Sequence, residues 1–317
     1  MSFDTNANAN ATTSIGFDGQ VAIVTGGGGG LGRAYALELA RRGARVLVND
    51  LGCARDGTGS SRESADKVVA EITAAGGQAE ANYESVATPE GGERIVRAAL
   101  EAFGRVDILI NNAGIVRDKS LAKLTPDMWD GVISVHLDGA YHVTRPAFLA
   151  MREQNYGRIV FITSATGLYG NFGQTNYGAA KLGVVGLMNS LKPEAARYEI
   201  QVNAVAPLAF TRINEDVIPV DLQDALKPES VAPLVVYLCS KECAVSGHVY
   251  NAGMGYFSRA AIVTSPAAGV SLRGQMPTVE GIRDEWDRID ALGNEVYEDA
   301  VSALFAMVPS ENGDVSA

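Results

Sequence analysis

The chain has 317 residues, 47% of them apolar and 20% charged, and its 26 basic against 37 acidic side chains leave a net charge of -11. That balance excludes a general electrostatic attraction to nucleic acid or to an anionic membrane, so an anionic ligand needs a local site. No run of 18 apolar residues occurs, which excludes a hydrophobic spanning helix, and three cysteines without a CxxC pair point to a reducing, cytoplasmic setting.

Residues 1–16, "MSFDTNANANATTSIG", are polar and lack both a basic start and an apolar core, so they read as a flexible tail rather than a signal peptide. From residue 20 onward, short apolar runs alternate with helical patterns: "QVAIVT" (20–25), "ARVLVND" (44–50), "RVDILINNAG" (105–114), "GRIVFITS" (157–164) and "IQVNAVAP" (200–207). Each run is continuous rather than alternating, as expected where both faces of a parallel sheet are covered. The fold class is therefore α/β, a Rossmann-type doubly wound parallel sheet. "GHVYNAG" (247–253) supplies an edge strand after the helix "ESVAPLVVYLCS". Cys239 and Cys243 lie four apart at that helix and read as small buried side chains; no metal site is expected. The main domain spans 17–257. Residues 258–317, with helical spacing in "TVEGIRDEWDRIDAL" and "NEVYEDAVSALFAMV", form a C-terminal helical extension.

The first run leads directly into "GGGGGLG" and then into the helical pattern "RAYALELARR", which Gly43 stops. Strand, glycine turn and helix is the context of a phosphate cradle, because a helix N-terminus offers unpaired N–H groups wherever no Cβ blocks the approach. Two registers fit: Gly27, Gly29 and Gly32 as GxGxxG, or Gly26, Gly30 and Gly32 as GxxxGxG. Asp50 ends the second run at the position of an acid that bonds the adenosine ribose hydroxyls. Its charge would repel a 2′-phosphate, so NAD is expected rather than NADP.

In "SATGLYGNFGQTNYGAAK" (164–181), Tyr177 and Lys181 are four apart and share one helix face. A phenol is a poor base at neutral pH, but a nearby ammonium favours its phenolate form, and Tyr177 can then exchange a proton with a carbinol oxygen. Ser164 stands at the carboxyl end of a strand, where open α/β sheets bind ligands, and its hydroxyl can hold the substrate oxygen.

Taken with "TGGGGGLG", "NNAG" and "NAVAP" in this order, these residues resemble the short-chain dehydrogenase/reductase family over residues 17–257. The resemblance selects the GxxxGxG register, so that Gly26, Gly30, Leu31 and Gly32 carry the nucleotide and Gly27, Gly28 and Gly29 fill a tolerant middle. It also implies that Lys181 binds the nicotinamide ribose, that Asn112, Ala113 and Gly114 line the adenosine side, that Ser85 and Val86 lie near adenine, and that Pro207 and Thr211 lie on the nicotinamide side. A homodimer or homotetramer is implied through the helices after "NNAG" and after Ser164.

Within the family, "VLVNDLG", "ANYESV", "SVHLDGAYHVTRPAF" and "ALKPESVAPLVVYLCS" resemble (3R)-hydroxyacyl-CoA dehydrogenase units of multifunctional enzymes. This implies NAD-dependent oxidation of a 3-hydroxyacyl-CoA. A steroid 17-hydroxyl is the alternative substrate, and a non-catalytic dinucleotide sensor the alternative class. Three features depart from the family pattern. His136 replaces a customary asparagine, as either a proton-relay member or a buried imidazole bonding a neighbouring strand. Pro193 predicts a kink in the helix of Tyr177, and "PLAFTRI" lacks the usual proline–glycine pair. Leu168, Tyr169 and Phe172, with the apolar stretch 211–226, suit an acyl chain or a sterol.

Overall fold

The computed structural model describes residues 14–210, 223, 226–264, 278–297 and 300–306. Eight strands form one sheet in the order β3-β2-β1-β4-β5-β6-β7-β8. They are β1 (Val21–Thr25), β2 (Arg45–Asn49), β3 (Gln78–Asn82), β4 (Ile108–Asn111), β5 (Gly157–Ile162), β6 (Ile200–Pro207), β7 (Val249–Gly253) and β8 (Tyr256–Ala260). β1 to β7 run parallel and only β8 is antiparallel.

The continuous apolar runs have the expected cause. Along β1, Ala22 and Val24 enter one buried cluster with helices α1 (Gly30–Arg41) and α2 (Glu63–Ala74), while Val21 and Ile23 enter a second on the opposite face. The second cluster is closed by α3 (Pro89–Phe103), α5 (Gly139–Gln154) and α7 (Thr175–Ala195). A short α4 (Pro126–Ile133) and a π-helical turn, Ser134–Asp138, precede α5. The chain leaves β3 at one edge and returns to β4 beside β1. That reversal opens a crevice at the carboxyl ends of β1 and β4, the place where such sheets hold ligands.

Two strands escape the sequence reading. β3, "QAEAN", is a sheet edge with one face in water, so its side chains alternate between exposed and partly buried and no apolar run marks it. β8 follows β7 through Met254 and Gly255, whose φ values of +53° and +75° close a two-residue hairpin. The run at 247–253 is therefore not the edge: β7 is flanked on both sides, and β8 crosses residue 257. Pro193 falls in the last turn of α7, which continues through it to Ala195. Helices Val279–Asp284, Trp286–Ile289 and Ala300–Ala306 make up the described part of the extension. No helix among the described residues is long and apolar enough to cross a membrane.

Candidate active site

The glycine turn between β1 and α1 is shaped by backbone constraints. Gly26 and Gly30 have φ of +62° and +49°, the left-handed region that glycine adopts without strain. Gly32 lacks room: a Cβ there would lie 2.1 Å from the Gly26 carbonyl oxygen. The loop after β4 is stitched onto this turn, since Asn112 Nδ2 donates to Thr25 O (2.9 Å) and Gly26 O (3.1 Å). The Thr25 hydroxyl in turn accepts from the Asn112 and Ala113 amides at 3.0 and 3.1 Å. No side chain caps α1 and no acid lies in its first turn. Its open N–H groups and partial positive charge form an anion cradle, and glycine leaves that cradle clear. The residues present therefore fit a dinucleotide.

The expected tolerance of the middle glycines is corrected for two of the three. A Cβ on Gly28 would come within 2.7 Å of Ser64 Cβ and 2.8 Å of Asp50 Oδ2, and one on Gly27 within 3.0 Å of Val24 O and Val48 Cγ1. Only Gly29 of these three faces open space. Asp50 ties the turn to the chain after β2 by accepting from the Gly28 amide at 2.8 Å and from the Gly52 amide at 2.7 Å. Its carboxylate keeps lone pairs free for further donors. Ser85 closes a small turn on the Ala87 amide, and Val86 is buried against Gly139. Leu31 packs on the first cluster and Pro207 ends β6. Thr211 lies outside the described residues, as does most of the apolar stretch 211–226.

Ser164 follows β5 and caps the short helix α6 (Ala165–Tyr169), accepting from the Thr166 amide at 3.1 Å. Tyr177 and Lys181 occupy the first two turns of α7, and the Ser164 hydroxyl lies close enough to the phenol to lower its pKa. Lys181 Nζ lies 5.7 Å from the centroid of the Tyr177 ring and donates to Ile162 O at 2.5 Å. Thr163 Oγ1 donates to Lys181 O, which pins this turn to the end of β5. The predicted triad is thus assembled.

Its electrostatics differ from the expectation. Burial is the leading influence on the Tyr177 phenol and raises its pKa, with the Ser164 hydrogen bond opposing and the Asp118 charge adding. Burial also lowers Lys181 to about 7. In the protein alone, loss of water therefore opposes the phenolate that a neighbouring ammonium and a nicotinamide ring are expected to favour.

His136 sits in the π-helical turn, 4% exposed. Its Nε2 lies 2.7 Å from Ile115 O and 3.0 Å from Ile115 N. With its proton on Nε2 the neutral ring donates to Ile115 O, and with its proton on Nδ1 it accepts from the Ile115 amide. Nδ1 is buried without a hydrogen-bond partner, and His136 helps to line a cavity of about 10 Å³ with Thr25, Asn111, Ile162 and Lys181, room for a single water. The ring meets Tyr177 edge-on at 5.1 Å between centroids. Burial, with the Lys181 charge beside it, lowers the imidazole to about 3, so it is neutral near pH 7. Gly114 makes room for it, since a Cβ there would touch His136 Cε1 at 2.3 Å.

Sequence reasoning missed the polar network at the cleft mouth. Gln174 Oε1 accepts from Thr166 Oγ1 (3.0 Å) and Asn171 Nδ2 (2.9 Å), and its Nε2 donates to Asp118 Oδ2 (2.8 Å). "GQTNY" shows the glutamine three residues before the tyrosine, but nothing in the sequence links it to an aspartate 56 residues earlier. Tyr169 and Phe172 stand on the rim, 70% and 89% exposed. Cys239 and Cys243 are buried free thiols, and Cys53 is partly buried.

The family profile described as short chain dehydrogenase matches residues 20–217. The chain is 50% identical over 278 residues to the mouse peroxisomal multifunctional enzyme type 2, covering 88% of this chain but 37% of that protein. It is 51% identical over 277 residues to a short-chain type dehydrogenase/reductase of Mycobacterium tuberculosis, covering 87% of this chain and 96% of that one. Among solved structures, a short chain dehydrogenase from Mycobacterium avium superposes with a TM-score of 0.76 at 38% identity, covering 88% of this chain and 98% of that one. The glycine cradle, the Ser164, Tyr177 and Lys181 triad and these likenesses converge: the chain belongs to the short-chain dehydrogenase/reductase family and is a nicotinamide-dinucleotide-dependent dehydrogenase acting on CH–OH groups.

Proposed function

We propose that the chain oxidises the 3-hydroxyl of a (3R)-3-hydroxyacyl-CoA to the ketone with NAD. The observation that carries the reading is the juxtaposition of Ser164, Tyr177 and Lys181 with the cradle at the crevice between β1 and β4. The substrate class comes from the resemblance to hydroxyacyl-CoA dehydrogenase units, supported by likeness to multifunctional enzymes over most of this chain. The exposed rim residues Tyr169 and Phe172 suit an acyl chain.

Gly26, Gly30, Leu31, Gly32 and Asp50 hold the dinucleotide, with Ser85, Val86, Asn112, Ala113 and Gly114 toward the adenosine and Pro207 and Thr211 toward the nicotinamide. Asp50 at the end of β2 disfavours a 2′-phosphate, which supports NAD over NADP. When bound, the nicotinamide supplies the hydride acceptor and a positive charge that counters the burial of the Tyr177 phenolate. Ser164 orients the carbinol oxygen and Tyr177 takes its proton as general base. Lys181 holds charge beside the phenol. His136 joins the relay through Nδ1 and the small cavity it shares with Lys181.

Trp129, Tyr141 and Leu182 expose apolar surface on α4, α5 and α7, which supports a homodimer or homotetramer through these helices. Free thiols fit a reducing compartment; cytoplasm is our reading, set beside relatives named as peroxisomal.

A panel of straight-chain (3R)-3-hydroxyacyl-CoAs, 17β-hydroxysteroids and simple secondary alcohols, each with NAD and with NADP, tests this by kcat/KM. The acyl-CoAs with NAD should lead. A steroid substrate in first place, or a preference for NADP, overturns the corresponding part.

A further inference from the structure

Residues 117–119 are bound tightly to the three residues in front of Tyr177. Lys119 pairs with Gln174 as a parallel bridge, Asn176 Nδ2 donates to Arg117 O at 3.2 Å, and Gln174 Nε2 donates to the Asp118 carboxylate at 2.8 Å. The Gln174 amide cannot turn away, because its oxygen already receives Thr166 and Asn171. Thr166 in turn is tied through its amide to Ser164. A chain of hydrogen bonds thus runs from the residue that orients the substrate oxygen to a fixed carboxylate at the cleft mouth. The proposed chemistry gives this carboxylate no task.

We infer that Asp118 is a specificity-determining residue, which disfavours substrates ionised at C1 and so selects the neutral thioester over the free 3-hydroxy acid. The inference rests on the hydroxyacyl reading above. C1 lies two bonds from the reacting C3, so a C1 carboxylate cannot leave the neighbourhood of Ser164 and Tyr177 once C3 is in place. A C1 carboxylate and the exposed Asp118 carboxylate are like charges whose repulsion should cost about tenfold in affinity, and a thioester carries no charge there.

Among the described residues no cationic side chain forms an ion pair with the Asp118 carboxylate. The Arg117 guanidinium donates to Asp56 O and Asp127 O, and the Lys181 ammonium is held by Ile162 O at the base of the site. His136 is neutral, and Lys119 is exposed beside the bridge. The Asp118 charge is felt at the Tyr177 phenol, whose pKa it raises. That effect is common to both substrates and drops out of their ratio.

The test compares wild type, Asp118→Asn and Asp118→Ala on the N-acetylcysteamine thioester of (R)-3-hydroxybutyrate and on free (R)-3-hydroxybutyrate. In Asp118→Asn the new amide oxygen can still accept from Gln174, and only the charge is lost. The thioester-to-acid ratio of kcat/KM should fall about tenfold in both variants, and added salt should narrow it in wild type but not in the variants. A ratio within twofold of wild type in both variants overturns the inference, as does a wild-type enzyme that prefers the free acid. Affinity of the enzyme–NADH complex for acetoacetate against acetoacetamide, read by NADH fluorescence, separates the two proposals. If no hydroxyacyl substrate is oxidised the hydroxyacyl reading fails, while the acetoacetate arm still decides whether Asp118 repels a carboxylate.

Discussion

The two halves of the site are built on different principles. The cofactor side, from β1 to β4, is backbone packed on backbone: two left-handed glycines, a third with a carbonyl where its Cβ would be, and an asparagine amide bonded to main-chain oxygens. The catalytic side is built from side chains that meet across long sequence distances, from Asp118 on the loop after β4 to Thr166 on α6 and Gln174 before α7. A change on the first side is met by immovable atoms, while a change on the second removes one function and leaves the frame standing. Mutation should therefore separate binding from turnover.

The largest contrast is expected from Tyr177→Phe, which removes the proton acceptor and should lower kcat by about 10²- to 10⁴-fold while NADH binding, read by fluorescence, stays within about twofold. Loss of NADH binding in this variant would blur the division. Gly32→Val attacks the other side: with a carbonyl 2.1 Å from its Cβ the turn cannot close, and dinucleotide affinity should fall by at least about a hundredfold, an overpacking cost of some 3 kcal/mol.

A third test lies between the halves, at His136. Its folded pKa of about 3 is below the ordinary 6.5, so between those values the folded state binds fewer protons than the unfolded one. The stability it contributes is complete above about pH 6.5 and is lost as pH falls toward 3, with a slope of up to about 1.4 kcal/mol per unit. Urea melts between pH 4 and 7 should show a shallower acid decline in His136→Asn; an unchanged slope would mean that the imidazole is charged in the folded protein.

The smallest effect is the most discriminating. Gly28→Ala pushes on Asp50 and Ser64 and should weaken NADH binding about tenfold, of the order of 1–2 kcal/mol, whereas Gly29→Ala should change it less than twofold because nothing lies within 4 Å. Equal tolerance at both positions would restore the picture of a uniformly permissive middle.

The same contrast governs what was legible. The strands β1, β2, β4, β5 and β6 declared themselves because each is buried on both faces, and the triad because Tyr177 and Lys181 are one helical turn apart and Ser164 ends a buried run. β3 stayed hidden behind polar alternation, and β8 behind a Met254–Gly255 turn that lacks the familiar Asn–Gly signal. Burial of the Tyr177 phenol, the leading influence that raises its pKa in the protein alone, is not legible from spacing.

The order of strand, glycine turn and helix was determined by the sequence, and its family pattern pointed to the register of Gly26, Gly30 and Gly32 and to the Ser164, Tyr177 and Lys181 set. They rest on periodicity and on steric limits that act within a few residues. Which middle glycine has room, which backbone groups His136 meets and which carboxylate Gln174 holds were decided only by the tertiary structure. Each depends on an atom brought from a distant segment: Ser64 from α2, Ile115 from the loop after β4, Gln174 from the turn before α7. Short-range constraints are written in neighbouring letters, whereas contacts between remote side chains exist only after the chain has folded.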